Sequence, residues 1–425
     1  MAALNSGKIA EVMFDEFLQT HDEQTQILSL VDSFTAAPGS LQNSNNFVWR
    51  PYQQHRPVLS GWDLTGQEQG IIEETYPAVL GTPTNDFVSL RADDMRDQTF
   101  WARAGREAGL KQASTLNKAV ASAVAQQGSL AYRSNVTSGF SYIAQAQAMM
   151  DERQTSTDGR NFILSTRDNY KFAQDLAGRQ TLQGRPATTW ETGQIGQNVA
   201  SFDVYTGSYL QNQAGGADPA TTVTANQSFK PEAGSISATG IVTNVDARTA
   251  TIPVTASASY NIGDKITFAN GGVTVKALGL TDKTNTGQAM TFTIVAKPSG
   301  TSITVYPKPI AADDPALSTL ELAYANINTR ILNAATVNRI NIDALATPSV
   351  FFSRDAVEVF HGEIDARLFS DFGGKKVISQ KLKSGQTAYM IYDANPVNMQ
   401  LSFRMFVWYG VTVKNPSACG VAISY

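Results

Sequence analysis

From Gln98 to Gln127 the chain runs for roughly 30 residues without proline, and this run constrains the fold more than any other feature. Trp101, Ala104, Ala108, Leu116, Ala119, Val120 and Ala123 recur in it at three- and four-residue spacing, which predicts one long helix. At 1.5 Å per residue that helix spans about 45 Å, well beyond the usual length. The acidic residues of Arg91-Ala92-Asp93-Asp94-Met95-Arg96-Asp97, just ahead of it, can cap its first amides and favour its positive end. Gly128 offers a stop. Gly105 and Gly109 each cost about 1 kcal/mol relative to alanine, so a bend or a close packing contact is expected there.

Ahead of the long helix lie two less regular stretches. Lys8 to Leu18 reads as a short amphipathic helix, with Ile9, Val12, Met13 and Phe17 as its stripe and Asp15 and Glu16 beside it. A second apolar run, Ile27 to Val31, precedes the break at Ala36-Ala37-Pro38-Gly39. Such a start forms either an arm that docks elsewhere or an arm packed on its own body. Between Asn46 and Asp86, Phe47 to Arg50 and Ile71 to Val79 are candidate strands joined by a long polar excursion. Excursions of that length are usually functional, and this one reads as an extended hairpin reaching beyond its own domain.

Downstream, helices are expected over Tyr142 to Arg153 and Arg167 to Ala177. A composition shift follows. From Val223 to about Pro309 the helical period gives way to short β-prone runs: Gly240 to Val245, Thr249 to Thr255, Lys265 to Phe268, Val273 to Leu278, Met290 to Ala296 and Ser302 to Tyr306. Turn signals such as Gly263-Asp264 and Asn270-Gly271-Gly272 separate them, which argues for a compact antiparallel barrel or sandwich inserted into an α+β chain. Ser318 and Glu321 fit a capping box, and Val350 to Phe352, Ala388 to Tyr392 and Leu401 to Tyr409 resume as strands. With 425 residues, two or more domains are expected.

Chemistry is not signalled. His21, His55 and His361 lie in three separate regions, none with a second ligand at metal spacing, so surface or structural roles are expected. Cys419 is the one cysteine, which rules out an intrachain disulfide and leaves a small buried apolar residue. No phosphate loop or nucleophile turn occurs, and Asp93-Asp94 and Asp313-Asp314 are explained by a helix start and a turn. A net charge of −4 without a basic stripe argues against a nucleic-acid binder. Charged residues make up only 16%, against roughly 25% in ordinary soluble domains, as in chains that spend much surface against neighbours. With those motifs missing no catalytic site, cofactor or metal is expected, and since neither a membrane span nor a secretion signal is read, no membrane partner is expected either.

Several short motifs resemble one family in order and spacing. They include Leu4-Asn5 with Gly7 and Ile9, Asp15-Glu16, Gly61-Trp62-Asp63-Leu64, Asn85-Asp86-Phe87 and Leu90 to Asp97. Gln227 to Pro231, Gly263 to Phe268, Pro307-Lys308-Pro309, Ala323 to Asn326 and Trp408 to Val411 continue the series. The set resembles the major coat proteins of short-tailed temperate enterobacterial phages over nearly the whole chain. The resemblance implies the tailed-phage capsid fold with an inserted β-barrel domain. Mapped here it gives an N-terminal arm (1–46), an extended loop (47–86) and a peripheral domain with spine helix plus the first part of an axial domain (87–222). The inserted barrel (223–342) and the remainder of the axial and peripheral domains (343–425) complete it. It also implies self-assembly into hexamers and pentamers around an internal scaffolding protein, a portal protein at one vertex, and enclosure of double-stranded DNA without sequence-specific binding. Assembly would take place in the host bacterial cytoplasm and the product would be the virion capsid. An enzyme-enclosing compartment of the same fold and a glycan-binding phage surface protein are the alternatives.

If so, the assembly contacts are expected in four places. The hairpin from Arg56 to Gln69 would lie over a neighbour, with Trp62 as anchor beside Asp63. Asp15 and Glu16 would meet a basic scaffolding helix. Arg91, Asp93, Asp94 and Arg96 would pair between subunits as well as within the chain, although helix capping explains them equally well. Where relatives carry an acidic inter-capsomer loop, Ala233 to Thr249 has only Asp246 and Arg248 as charges, so salt links there must be fewer.

Overall fold

The computed structural model describes residues 6–35, 46–52, 59, 61–66, 72, 74–91, 98–135, 139–178, 196–232, 234–343, 345–364, 376–395 and 400–425. They form two compact units. One is built from 1–48, 78–120 and 358–412, the other from 49–77, 121–357 and 413–425. Four helices recur below: α1 (Ser6–Gln24), α2 (Gln98–Gln127), α3 (Gly139–Glu152) and α4 (Thr166–Gly178).

The helix α2 occupies the whole proline-free run, and its residues up to 120 belong to the first unit. Of the two alternatives for the chain start, α1 packs on α2 and extends beyond Leu18 to Gln24. Met13, Phe14 and Phe17 are buried, and the two glycines of α2 are where its backbone comes close. A Cβ at Gly105 would overlap the Met13 carbonyl oxygen, and one at Gly109 would lie 2.8 Å from that of Phe17. The cost of glycine in a helix is thus offset by a helix–helix approach that any side chain would block. Asn117 Nδ2 donates to the Gln24 carbonyl (3.1 Å), holding the far end of α1. Trp101 is buried against Phe403, ring centroids 5.6 Å apart.

Phe403 belongs to a four-stranded antiparallel sheet with the spatial order Lys376–Lys381, Thr387–Asn395, Gln400–Val407, Thr84–Arg91. The expected strand Leu401 to Tyr409 is two strands, because the chain changes sheets at Trp408. Tyr409–Val413 joins Val357–His361, which pairs in parallel with Asp32–Thr35. Gly410 sits where a Cβ would overlap the Val79 carbonyl oxygen, so this crossing also depends on a missing side chain.

In the second unit, α2 ends where the Gly128 amide donates to the Val124 carbonyl (2.8 Å). Its six-stranded mixed sheet has the order Leu130–Ser134, Cys419–Ser424, Ser349–Ser353, Arg160–Ser165, Phe202–Gly207, Gly196–Val199. All six residues of Arg160–Ser165 are buried, as expected of a central strand covered on both faces. Phe162, Phe202, Phe351 and Tyr142 form the core, with Phe162 and Phe351 stacked at 5.8 Å. Here α3 and α4 close at Gly139, which faces the Phe172 ring.

The β-rich middle forms a second sheet, in the order Thr221–Thr222, Thr336–Arg339, Lys265–Asn270, Phe292–Ser299, Ser302–Tyr306, Ala250–Pro253. Its two ends meet. Val223 bridges Val254, the Thr224 amide donates to Pro253 (3.1 Å) and the Thr255 amide to Thr222 (2.9 Å). Six strands therefore close into a ring around Ile252, Phe268, Phe292, Ile303 and Val337, and closure leaves neither end strand unpaired. Within this region Val273 to Leu278 is two short strands with different partners, Val273–Thr274 and Lys276–Leu278. Gly240 to Val245 shortens to Val242–Asn244, the second arm of a hairpin with Gly234–Ile236. The capping box at Ser318 and Glu321 forms, but the helix it opens is one turn, Thr319–Leu322.

Candidate assembly contacts

Trp62 and its neighbours are the most open of the expected contacts. Trp62 is fully exposed, Leu64 is exposed, and the Asp63 carboxylate accepts from the amide (2.9 Å) and hydroxyl (2.6 Å) of Thr65. The Thr65 hydroxyl, then its amide, holds that carboxyl below its usual range. A turn closed by these bonds thus presents a fully exposed indole. The flanking strands Phe47–Tyr52 and Glu74–Val79 pair with each other. Arg56 and His55 lie outside the described residues, as do Asp93, Asp94 and Arg96. Arg91 is exposed at the end of its strand, opposite Gln400.

On α1 the two acids differ. Asp15 is exposed, whereas Glu16 pairs with Arg106 of α2 at 3.2 Å. Part of the charge expected to face a partner is therefore engaged across the helix seam.

Asp246 and Arg248 pair with each other within the subunit. The Asp246 carboxylate takes the Arg248 Nε (2.9 Å) on one oxygen and Nη2 (2.8 Å) on the other. Arg248 Nη1 donates to the Val413 carbonyl, and its guanidinium lies over the rings of Tyr76 and Tyr306 at 5.2 Å. Burial alone would lower the guanidinium; the Asp246 hydrogen bonds outweigh it and leave the group raised. With its side chain 4% exposed, Arg248 is turned into its own subunit.

Sequence reasoning passed over three features. Phe87 is 64% exposed on the four-stranded sheet, across from Arg404. Ile241 is exposed at the end of the uncharged 234–244 hairpin. Glu74 is fully buried, with no hydrogen-bond partner for either oxygen among the described residues. Burial pushes its carboxyl up to about 7. The signal was there: Glu74, Tyr76 and Ala78 alternate, so a carboxylate falls on the inward face of its strand.

His21 and His361 are both buried. His21 is buried with Thr25 Oγ1 3.3 Å from Nδ1, and burial lowers it to about 4. His361 is also buried and lowered to about 4, first by burial and then by Lys381. Cys419 is buried in the strand that ends the chain. Among the described residues no group of three or more histidine, cysteine, aspartate or glutamate side chains is placed to hold a metal ion. No helix among them is long and apolar enough to cross a membrane.

A family model described as P22 coat protein, gene protein 5, matches residues 1–424. Among solved structures, the capsid of the cyanophage P-SCSP1u is similar at 11% identity, covering 93% of this chain and 86% of that one, TM-score 0.44. The structure titled Mycobacterium phage Che8 is similar at 11% identity, covering 94% and 90%, TM-score 0.42. The mature capsid of bacteriophage PhiM1 is similar at 9% identity, covering 93% and 85%, TM-score 0.43.

Proposed function

The chain belongs to the P22 coat protein family, and from that premise we propose how its copies meet one another and their partners. It is a phage major capsid protein, whose copies form the icosahedral shell of the virion; the match over residues 1–424 carries this conclusion. That the chain has no catalytic activity, and that the shell assembles in the host cytoplasm around a scaffolding protein with a portal at one vertex, are our reading beyond it. So is the division into arm, extended loop, peripheral and axial domains and an inserted barrel at 223–342.

We assign the main intersubunit anchor to Trp62. A fully exposed large aromatic on a turn is available for burial against a neighbour, and buried aromatics dominate interface energetics. Asp15 is the acid of α1 left exposed for a basic scaffolding helix, with Glu16 shared between that partner and Arg106. Arg91, with Asp93, Asp94 and Arg96, supplies ion pairs to a neighbour. Asp246 and Arg248 act inside the subunit, and the 234–244 hairpin would reach a neighbour through Ile241 without salt links.

The test is co-expression with a basic internal scaffolding protein, followed by electron microscopy. Closed shells are expected, with no enzyme cargo. A persistent small oligomer under those conditions, or particles that ignore the scaffold, would overturn the scaffold-directed reading.

A further inference from the structure

Inside the second unit, Tyr52, Arg248, Lys283, Lys308, Asn415 and Ser417 help line one pocket of about 40 Å³, whose wall also includes the apolar Leu280 and Pro307. That is room for a few waters or one small ion, and too little for a nucleotide. Its wall is rich in donors. Lys308 is buried, Lys283 is half-buried, and neither ammonium has a hydrogen-bond acceptor among the described residues. The Asn415 side-chain oxygen accepts from the Ser417 amide (3.0 Å), which leaves the Asn415 amide hydrogens and the Ser417 hydroxyl for an occupant.

The acids nearby do not supply the missing acceptors. Both Asp246 oxygens are taken by Arg248. Glu74 and Glu232 act on Lys308 through space, and Lys230 opposes them. Burial lowers Lys308, and lowers Lys283 to about 8, so each ammonium would gain from a counter-ion in contact.

We propose that this cavity is a binding site for a small tetrahedral oxyanion of the phosphate or sulfate class, held by the ammonium groups of Lys283 and Lys308. Asn415 and Ser417 serve as its neutral donors. The site joins the root of the 47–86 segment, through Tyr52, to the strand ring and the C-terminal segment, so an occupant would brace three parts of the unit at once. Glu74 faces Lys308, Glu232 and Tyr52. A protonated Glu74 repels the anion less than a charged one, so binding should tighten as pH falls through 7.

Inorganic sulfate is the probe, because it does not titrate in this range. Equilibrium binding of labelled sulfate to the unassembled full-length chain, at ionic strength held constant with chloride, should show one saturable site. Lys308→Met and Lys283→Met should each weaken it about tenfold or more, with circular dichroism unchanged. Glu74→Gln should bind at least as tightly as the parent and lose the pH dependence between about pH 6 and 8. Should Lys308→Met fail to fold, the half-exposed Lys283→Met decides alone. Unsaturable binding by the parent, or undiminished binding by a folded lysine variant, overturns the site.

Discussion

Gly105 lies against the Met13 carbonyl so closely that no side chain fits between α2 and α1. Helix propensity favours Gly105→Ala by about 1 kcal/mol, but overpacking a tight contact costs about 1–3 kcal/mol, more where the obstacle is backbone. Gly105→Ala should therefore lower the denaturation free energy of the unassembled chain by about 1–2 kcal/mol. A variant as stable as the parent would show that the seam opens without cost.

The Glu16–Arg106 pair crosses the same seam at the surface, with side chains 31% and 62% exposed. Such pairs contribute about 0–1 kcal/mol, so Glu16→Gln should barely change stability. If Glu16 also serves a scaffolding partner, Glu16→Gln should slow scaffold-assisted assembly and Arg106→Gln should not. Equal effects in a light-scattering assay would leave Glu16 a structural residue alone.

Arg248 is a different case, because its charge is buried. Arg248→Ala strands Asp246 and the Val413 carbonyl, and breaking a buried pair costs about 3–5 kcal/mol. The loss should appear in urea unfolding of unassembled subunits. A parent-like midpoint combined with defective shells would instead return the pair to an intersubunit role.

Acid should destabilise the first unit through His21 and His361. Both are lowered from 6.5 to about 4, so between those values the unfolded chain holds more protons than the folded one. Stability thus rises with pH across that window and is lost as pH falls through it, by on the order of 2 kcal/mol per histidine. His361→Leu should flatten the acid limb of a stability–pH curve; an unchanged slope would acquit His361.

Trp62→Ala should leave monomer stability within about 0.5 kcal/mol, since the indole is fully exposed, while impairing assembly. Sedimentation velocity after mixing with scaffold separates the two effects. Parent-like shell yield would remove Trp62 from the interface.

By itself the sequence determined the elements whose causes are local. The bounds of α2, the strand Ser302–Tyr306 and the Ser318–Glu321 capping box follow from helical period, turn residues and caps within a few positions. The tight approach at Gly105 and Gly109 was legible as a cost needing a cause, but its partner was not. Trp62 was readable as a hairpin aromatic, and its exposure only in three dimensions. Tertiary structure alone decided that Cys419–Ser424 lies between Leu130–Ser134 and Ser349–Ser353, and that Val223 meets Val254 to close the ring. It also turned Arg248 inward and buried Glu74. The physical reason is distance along the chain. Strand order, ring closure and the burial of a charge depend on which remote segment lies opposite, and no local period carries that information.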